Sequence, residues 1–305
     1  METQNLLAFV RVAESGSFSL AAEQLHLTQP AVSKRIAALE DQLSARLFDR
    51  VGRQILLTEA GRVLLPRAQQ ILQSVKEARR HLADLAGEVG GELSVITSHH
   101  VGLHRLPPVL KEYVREYPEV DLQLGFVDSE RAYGEVLHGA AELAVVTLSP
   151  EAPASVVAEV LWEDPLQFVV SPEHPLAGHS SARRSSKHSL KKAQCSLRDL
   201  SAYPAILPEP HTYTARIVRD LFAGKGLTLH TKLASNFLET IKMMVSIDLG
   251  WSVLPETLID GQLQVLDVSG IRLKRNLGYI RHRERSMSNA AARFVELLNR
   301  RSITK

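Results

Sequence analysis

Residues 18–40 constrain this chain more tightly than any other stretch of it. Ala21, Ala22 and Leu25 recur at helical spacing, and Ser19 stands where it can cap the start of a short helix. His26 and Leu27 leave room for a tight turn, after which Thr28 can act as a second N-cap. Gln29 and Pro30 then fall in a first helical turn, where a missing backbone N–H costs little. Ala31, Val32, Ile36 and Leu39 mark the buried side of this second helix and leave Gln29, Ser33, Lys34 and Arg35 outside. Such a short, polar, basic face can approach another surface closely. Gln pairs bidentately with adenine, Lys reaches guanine or phosphate, and Ser contacts either. Two helices joined by a few residues, the second with this face, describe a helix-turn-helix.

The flanks extend that unit. Over residues 3–15, Leu6, Leu7, Phe9, Val10 and Val12 give a helix with a broad apolar side, ended by Gly16. Leu43, Leu47 and Phe48 continue the core. Next comes a β-hairpin in outline, with Gly52 at its turn and Arg50 and Arg53 on its arms. Three helices and a basic hairpin make a winged helix-turn-helix, whose wing arginines suit phosphate contact. Net charge is only +2 for the chain. The bases Lys34, Arg35, Arg46, Arg50 and Arg53 nevertheless outnumber the acids Glu40, Asp41 and Asp49 between Thr28 and Thr58, so charge is drawn towards the docking face.

Here the chain resembles a known family. Phe9, Ser17-Phe18-Ser19, Ala21-Ala22, Leu25, Thr28-Gln29-Pro30-Ala31-Val32-Ser33, Ile36, Leu39-Glu40, Leu47-Phe48, Arg50, Arg53, Leu57-Thr58 and Ala60-Gly61 stand in order as in the N-terminal signature of LysR-type transcriptional regulators. The resemblance implies a DNA-binding domain over residues 1–60, with Thr28, Gln29, Pro30, Ser33, Lys34, Arg35, Arg50 and Arg53 towards double-stranded operator DNA.

Residues 58–88 read as a long helix. Leu64, Ala68, Ile71, Val75, Ala78, Leu82 and Leu85 alternate steps of four and three, the repeat of a coiled-coil seam. No nearby segment would cover this stripe, so it is expected to pair with a second copy, as the family's linker helix does. Pro66 should kink the helix or loosen its first turn. Gly87, Gly90 and Gly91 end it.

From Glu92 the pattern becomes strand–helix–strand, which implies a mostly parallel sheet covered on both faces. Strands are expected at 93–97, 120–127, 142–147, 162–171, 205–207, 229–233, 252–254, 263–267 and 277–280. Helices are expected at 106–117, 131–138 and 290–299. Leu106-Pro107-Pro108, Tyr117-Pro118, His174-Pro175-Leu176-Ala177 and Leu249-Gly250-Trp251 running to Leu254-Pro255 are similar to phrases of the family's effector domain. That likeness implies an effector-binding domain over residues 92–302, like type 2 periplasmic binding proteins: an α/β lobe over 92–162 and 267–302, and another over 163–266. The strand at 263–267 is expected to return towards the first lobe. One departure is a Ser-rich run at 178–193 with Arg183, Arg184, Lys187, Lys191 and Lys192 and no acids, read as a solvated surface insertion.

In doubly wound sheets ligands bind beyond the carboxyl ends of strands. Thr97, Ser98, His99 and His100 sit at such an end, where hydroxyls and imidazoles beside backbone N–H groups favour a carboxylate, sulfate or phosphate. Thr147 ends another strand. From the second lobe, Leu207 and Pro208 end a strand, and Asn236 and Phe237 open a helix, with Asn236 in the place of an N-cap. These residues are the candidate effector site, for a small anionic or amino-acid-like molecule.

The remaining classes are disfavoured. No nucleophile elbow, Walker motif or GxGxxG after a strand is present, and the histidines show no metal-ligand spacing, so no catalytic residue, cofactor or metal is assigned. The one cysteine, Cys195, excludes an internal disulfide and fits a reducing compartment. Without a signal peptide or membrane-length apolar run, the expectation is a cytoplasmic transcriptional regulator, not an enzyme. It would act as a homodimer and, by the family's habit, a homotetramer that bends DNA, with RNA polymerase as a further partner. The alternative is a sensor like the solute-binding proteins, without a DNA role.

Overall fold

The computed structural model describes residues 1–51, 54–84, 87, 89–178 and 193–302. It consists of two compact units, one of residues 1–89 with 138–140 and one of the remainder.

In the first unit, α1 (Thr3–Ser15) ends at Gly16, whose φ of 63° lets its N–H reach back to the Val12 carbonyl. Helix α2 (Phe18–Gln24) is capped by Ser17, not Ser19. Ser17 has the extended backbone a cap needs, and its Oγ accepts from the Leu20 N–H at 3.3 Å; Ser19 already lies in the first turn. Helix α3 (Gln29–Leu43) has Thr28 in the N-cap position with no side-chain bond. Strands β1 (Phe48–Val51) and β2 (Gln54–Leu57) pair antiparallel, Arg50 opposite Ile55. Gly52 and Arg53 lie outside the described residues. Glu40 Oε1 accepts from the N–H groups of Leu47 (2.7 Å) and Phe48 (3.4 Å), which fixes the root of the hairpin to α3. The Phe48 ring lies 5.4 Å from that of Phe9 and 5.9 Å from that of Phe18, in a core with Val12, Ala22, Val32, Ile36 and Leu39.

Helix α4 (Glu59–Asp84) runs on through Pro66. It starts close against the hairpin root: a Cβ on Gly61 would stand 2.3 Å from the Leu47 carbonyl oxygen. The expected seam divides in two. Ala68 is fully buried in the domain's own core, with Leu64, Leu65 and Leu72 packed beside it, because α4 lies along α1. Ile71, Ala78 and Leu82 are exposed and Val75 half-buried; Leu82 is 71% exposed. Leu85 lies outside the described residues.

The second unit is built on a mixed sheet. Strand β3 (Gly91–Thr97) pairs parallel with β4 (Val120–Phe126) and β5 (Leu143–Thr147). Helices α5 (His99–His104), α6 (Pro107–Glu116) and α7 (Ser129–His138) connect them. Strand β6 (Val156–Val170) then runs through both lobes. The second lobe adds β7 (Ala193–Cys195), α8 (Leu197–Ser201), β8 (Ala205–Leu207), α9 (Tyr213–Ala223), β9 (Thr231–Ala234), α10 (Leu238–Ser246), β10 (Ser252–Pro255) and β11 (Gln264–Val268). Strand β12 (Leu273–His282) returns beside β6, and α11 (Asn289–Ser302) closes the first lobe. There Tyr113 donates to the Ala290 carbonyl at 2.8 Å and packs edge-on against Phe294.

Two expectations change here. The sheet is not mostly parallel, because β6 and β12 pass between the lobes without a crossover helix and pair antiparallel with each other and with β5, β10 and β11. Strand β11 belongs to the second lobe, since its partners are β7 and the far end of β6, residues 168–170. The greater part of the basic run, residues 179–192, lies outside the described residues. No helix among the described residues is long and apolar enough to cross a membrane.

Candidate functional site

Two places concentrate functional chemistry, one in each unit. In the first, the turn between α2 and α3 closes through the Leu27 N–H to the Ala22 carbonyl at 2.9 Å, with His26 at a φ of 52°. That left-handed residue lets α3 turn away so soon. Val32, Ile36 and Leu39 face inward. Thr28, Gln29, Pro30 and Lys34 are exposed on the other side, with Ser33 half-buried. Gln29 Nε2 donates to Ser33 Oγ at 3.0 Å, one turn apart, so the two polar groups hold each other in place. Arg35 is half-buried and donates to Gln4 Oε1 of α1 at 2.8 Å, so part of its guanidinium is spent inside the domain. Arg50 is in β1, and Arg53 lies outside the described residues.

In the second unit a polar cleft opens between the lobes. Six expected residues line it together: Ser98, His99, His100, Thr147, Pro208 and Asn236. The other three do not. Thr97 is fully buried and donates to the Val145 carbonyl at 2.7 Å, tying β3 to β5. Leu207 belongs to the second lobe's core, and Phe237 is an exposed ring 4.7 Å from that of His99. The N-cap of α10 is Phe237, not Asn236. The Asn236 side chain accepts from the Glu209 N–H (3.0 Å) and donates to Asp128 Oδ2 of the first lobe (2.8 Å). It bridges the cleft.

The floor carries charge that the sequence reading did not place. Arg275 on β12 and Asp164 on β6 are directly opposite in the ladder and are 7% and 1% exposed. Arg275 Nε donates to Asp164 Oδ2 at 2.9 Å and its Nη1 to Thr214 Oγ1 at 2.9 Å. Arg105, after α5, donates to the other Asp164 oxygen at 3.2 Å and lies over the Trp162 ring. Two guanidiniums therefore share one carboxylate. Among the described residues, Arg275 Nη2 and Arg105 Nε are buried without a hydrogen-bond partner. His100, 5% exposed, lies 3.8 Å from Asp164, and its pKa is pushed down to about 3 by burial first and by the adjacent Arg275 second. It is neutral and leaves the floor with one positive charge in excess.

The opposite wall is acidic. Asp128 and Glu130 line the cleft, and Glu130 accepts from the Tyr213 N–H of the second lobe. Ser129 Oγ accepts from the Thr147 N–H at 3.1 Å. The cavity is about 60 Å³, room for a few waters or a small anion and too little for a large effector in this arrangement. A buried donor without an acceptor at the end of a polar cleft is the place for an anionic oxygen. Cys195, buried in the second lobe's core, has its thiol pushed up to about 11 by burial, which makes it a poor nucleophile.

Comparison with known proteins agrees with both units. The family described as "LysR substrate binding domain" matches residues 86–302, and "Bacterial regulatory helix-turn-helix protein, lysR family" matches residues 3–62. An uncharacterized HTH-type transcriptional regulator in the ibpB-leuC intergenic region of Azotobacter vinelandii is 65% identical over 108 residues, 35% of this chain and 75% of that protein. The uncharacterized HTH-type transcriptional regulator YeiE of Escherichia coli (strain K12) is 31% identical over 298 residues, 96% of this chain and 95% of its own length. Among solved structures, full-length CbnR complexed with its target DNA matches with a TM-score of 0.67 at 23% identity, over 99% of this chain and 100% of that one. A full-length OxyR variant from Pseudomonas aeruginosa matches with a TM-score of 0.69 at 24% identity, over 99% and 94%. These two likenesses are of fold. Family descriptions that together cover nearly the whole sequence, with a relative 31% identical from end to end, settle the assignment: the chain belongs to the LysR family of helix-turn-helix transcriptional regulators.

Proposed function

We propose that this regulator reads operator DNA through Gln29, Ser33 and Lys34 of α3. Arg50 and Arg53 of the wing would hold phosphates, and the stripe of exposed Ile71, Ala78 and Leu82 with half-buried Val75 on α4 would pair two copies. The observation that supports the reading most is the α3 face itself: polar side chains locked to each other on the solvent side of a helix whose other side is fully committed to the core. A dimer would present two such helices to successive major grooves, and a tetramer would bend the DNA between its sites. That CbnR, a protein of the same fold, has been seen complexed with its target DNA supports a DNA-binding role. The role is regulatory rather than enzymatic, in the cytoplasm, with RNA polymerase as a downstream partner.

The input is a small carboxylate or amino-acid-like effector between the lobes. Its carboxylate would sit against Arg275 Nη2 and Ser98, and an ammonium group would face Asp128 and Glu130. Binding would shift the angle between the lobes and so the shape of the assembly on DNA.

The DNA reading is tested by titrating the full chain against its own upstream region and a scrambled duplex at one fixed salt concentration. Gln29→Ala and Ser33→Ala should each lose roughly 1–3 kcal/mol of discrimination while keeping most non-specific affinity. Equal affinity of the wild type for both duplexes would sink the reading and leave the DNA-free sensor in its place.

A further inference from the structure

The mouth of the cleft holds a second constellation, which shares His100 with the effector cleft and adds His104 and Glu239. His100 and His104 are four residues apart on α5, so their imidazoles share one helix face, with ring centroids 5.0 Å apart. Glu239, in the first turn of α10 on the other lobe, brings its Oε1 to 2.9 Å from His104 Nε2. One ligand atom from each residue lies within 4.8 Å of the other two. Gly102 makes this packing possible: a Cβ there would stand 2.5 Å from the Phe126 ring, so only glycine lets α5 sit this low.

We propose that His100, His104 and Glu239 form a site for a divalent transition metal ion of the zinc, cobalt or nickel class, which ties the two lobes together. Two imidazoles and one carboxylate with an open fourth position are a recurrent donor set for these ions, and imidazole suits them better than it suits calcium or magnesium. The second observation is His100 itself. Both of its ring nitrogens are buried with no hydrogen-bond partner among the described residues, an arrangement that wastes a donor and an acceptor unless something accepts the lone pair. Metal–ligand distances of about 2.0–2.1 Å put tetrahedral ligand atoms roughly 3.3 Å apart, so the 2.9 Å His104–Glu239 contact must open slightly while both groups draw towards His100. His104 and Glu239 can supply that movement by rotamer change, being 29% and 40% exposed on their side chains. The carboxylate of Glu239 and the Asp164 charge offset the repulsion from Arg105 and Arg275. Because His100 also lines the cleft, water or the oxygen of a bound carboxylate would complete the shell from there.

The test uses the full chain, stripped with chelator, and titrates Co²⁺ by visible absorption and Zn²⁺ by calorimetry. The expected result is one saturable site with the intense absorption of a tetrahedral cobalt centre. His104→Ala and Glu239→Gln should each weaken it at least about tenfold. A His179→Ala/His188→Ala double variant, in the basic run outside the described residues, should bind as the wild type does. Both cleft substitutions lie on half-exposed side chains, and melting in chelator should be unchanged; should His104→Ala melt lower, Glu239→Gln decides. Undiminished binding in both cleft variants, loss confined to the double variant, or no saturable site would overturn the proposal, and His104–Glu239 would stand as a plain hydrogen bond between lobes. The readout needs neither DNA nor a carboxylate effector, so its failure leaves the regulatory reading intact.

Discussion

Asp164 is the residue on which the effector unit's electrostatics turn. It faces Arg275 across the ladder, takes a second bond from Arg105 and is 1% exposed, so it is the acid to which both guanidiniums bond. Breaking a buried pair by removing one partner typically costs about 3–5 kcal/mol, because the remaining charge is stranded. Asp164→Ala should therefore lose about that much stability to urea, and a loss below about 1 kcal/mol would mean that water or a counter-ion already screens the cluster. The double variant Asp164→Leu/Arg275→Met should recover much of the loss, since shape-matched apolar pairs often replace buried ion pairs without penalty. Both halves of this pair lie on alternating stretches of the sequence, although the strand expected at 277–280 stops short of Arg275. Trp162, Asp164, Leu166 and Phe168 share one parity of a strand, and Leu273, Arg275 and Leu277 share one parity of another. A charge on the apolar register of each of two crossover strands is a strong sign of a buried pair. Pairing Glu239 with His104 was not legible, because the two are 135 residues apart and meet only through the two-lobed topology.

Among the elements, α4 shows where pattern and packing part company. Its spacing of four and three runs unbroken, yet spacing alone cannot say what covers a stripe. Nearer the hairpin the cover is α1, which takes Ala68 to full burial; further on, Leu82 stands 71% exposed among the described residues. Substituting Ala68→Glu places an unpaired carboxylate in the core and should destabilise the monomer by several kcal/mol. Leu82→Glu should leave the melting temperature of the isolated protomer unchanged and weaken self-association, measured by sedimentation across a concentration series. If Leu82→Glu sediments as the wild type does, the stripe is not the dimer seam. The other elements were readable in proportion to how local their signals are. Helix α1, with its Gly16 stop, matches its expected bounds, and α3 starts after Thr28 with Pro30 in its first turn as expected. Strand β11 went to the wrong lobe because strand partners are set by topology rather than by residues 263–267 themselves.

At the scale of the effector unit, β6 and β12 join the lobes as two continuous strands, and the hydrogen bonds across the mouth among the described residues are few. Asn236 reaches Asp128, the Tyr213 N–H reaches Glu130, and His104 reaches Glu239. Partly exposed polar bonds each contribute on the order of 1 kcal/mol or less. The shut and open arrangements then differ by a few kcal/mol, within reach of a ligand with differential affinity for the two. A carboxylate that binds against Arg275 needs both walls, so it favours the shut arrangement. At a free concentration about 100-fold above its Kd, such a ligand stabilises that arrangement by about 2.7 kcal/mol, which is about a hundredfold in the opening equilibrium. The amide of Tyr213 reports on opening directly, because its acceptor lies on the other lobe. Hydrogen exchange there should slow by up to about that factor when a binding carboxylate saturates the chain. The amides that join β3 to β5 lie within one lobe and should exchange at their former rates. Unchanged exchange at Tyr213 under saturation would show that ligand binding and lobe closure are not coupled. Slowing throughout the unit would point instead to general stabilisation, with no role for the mouth.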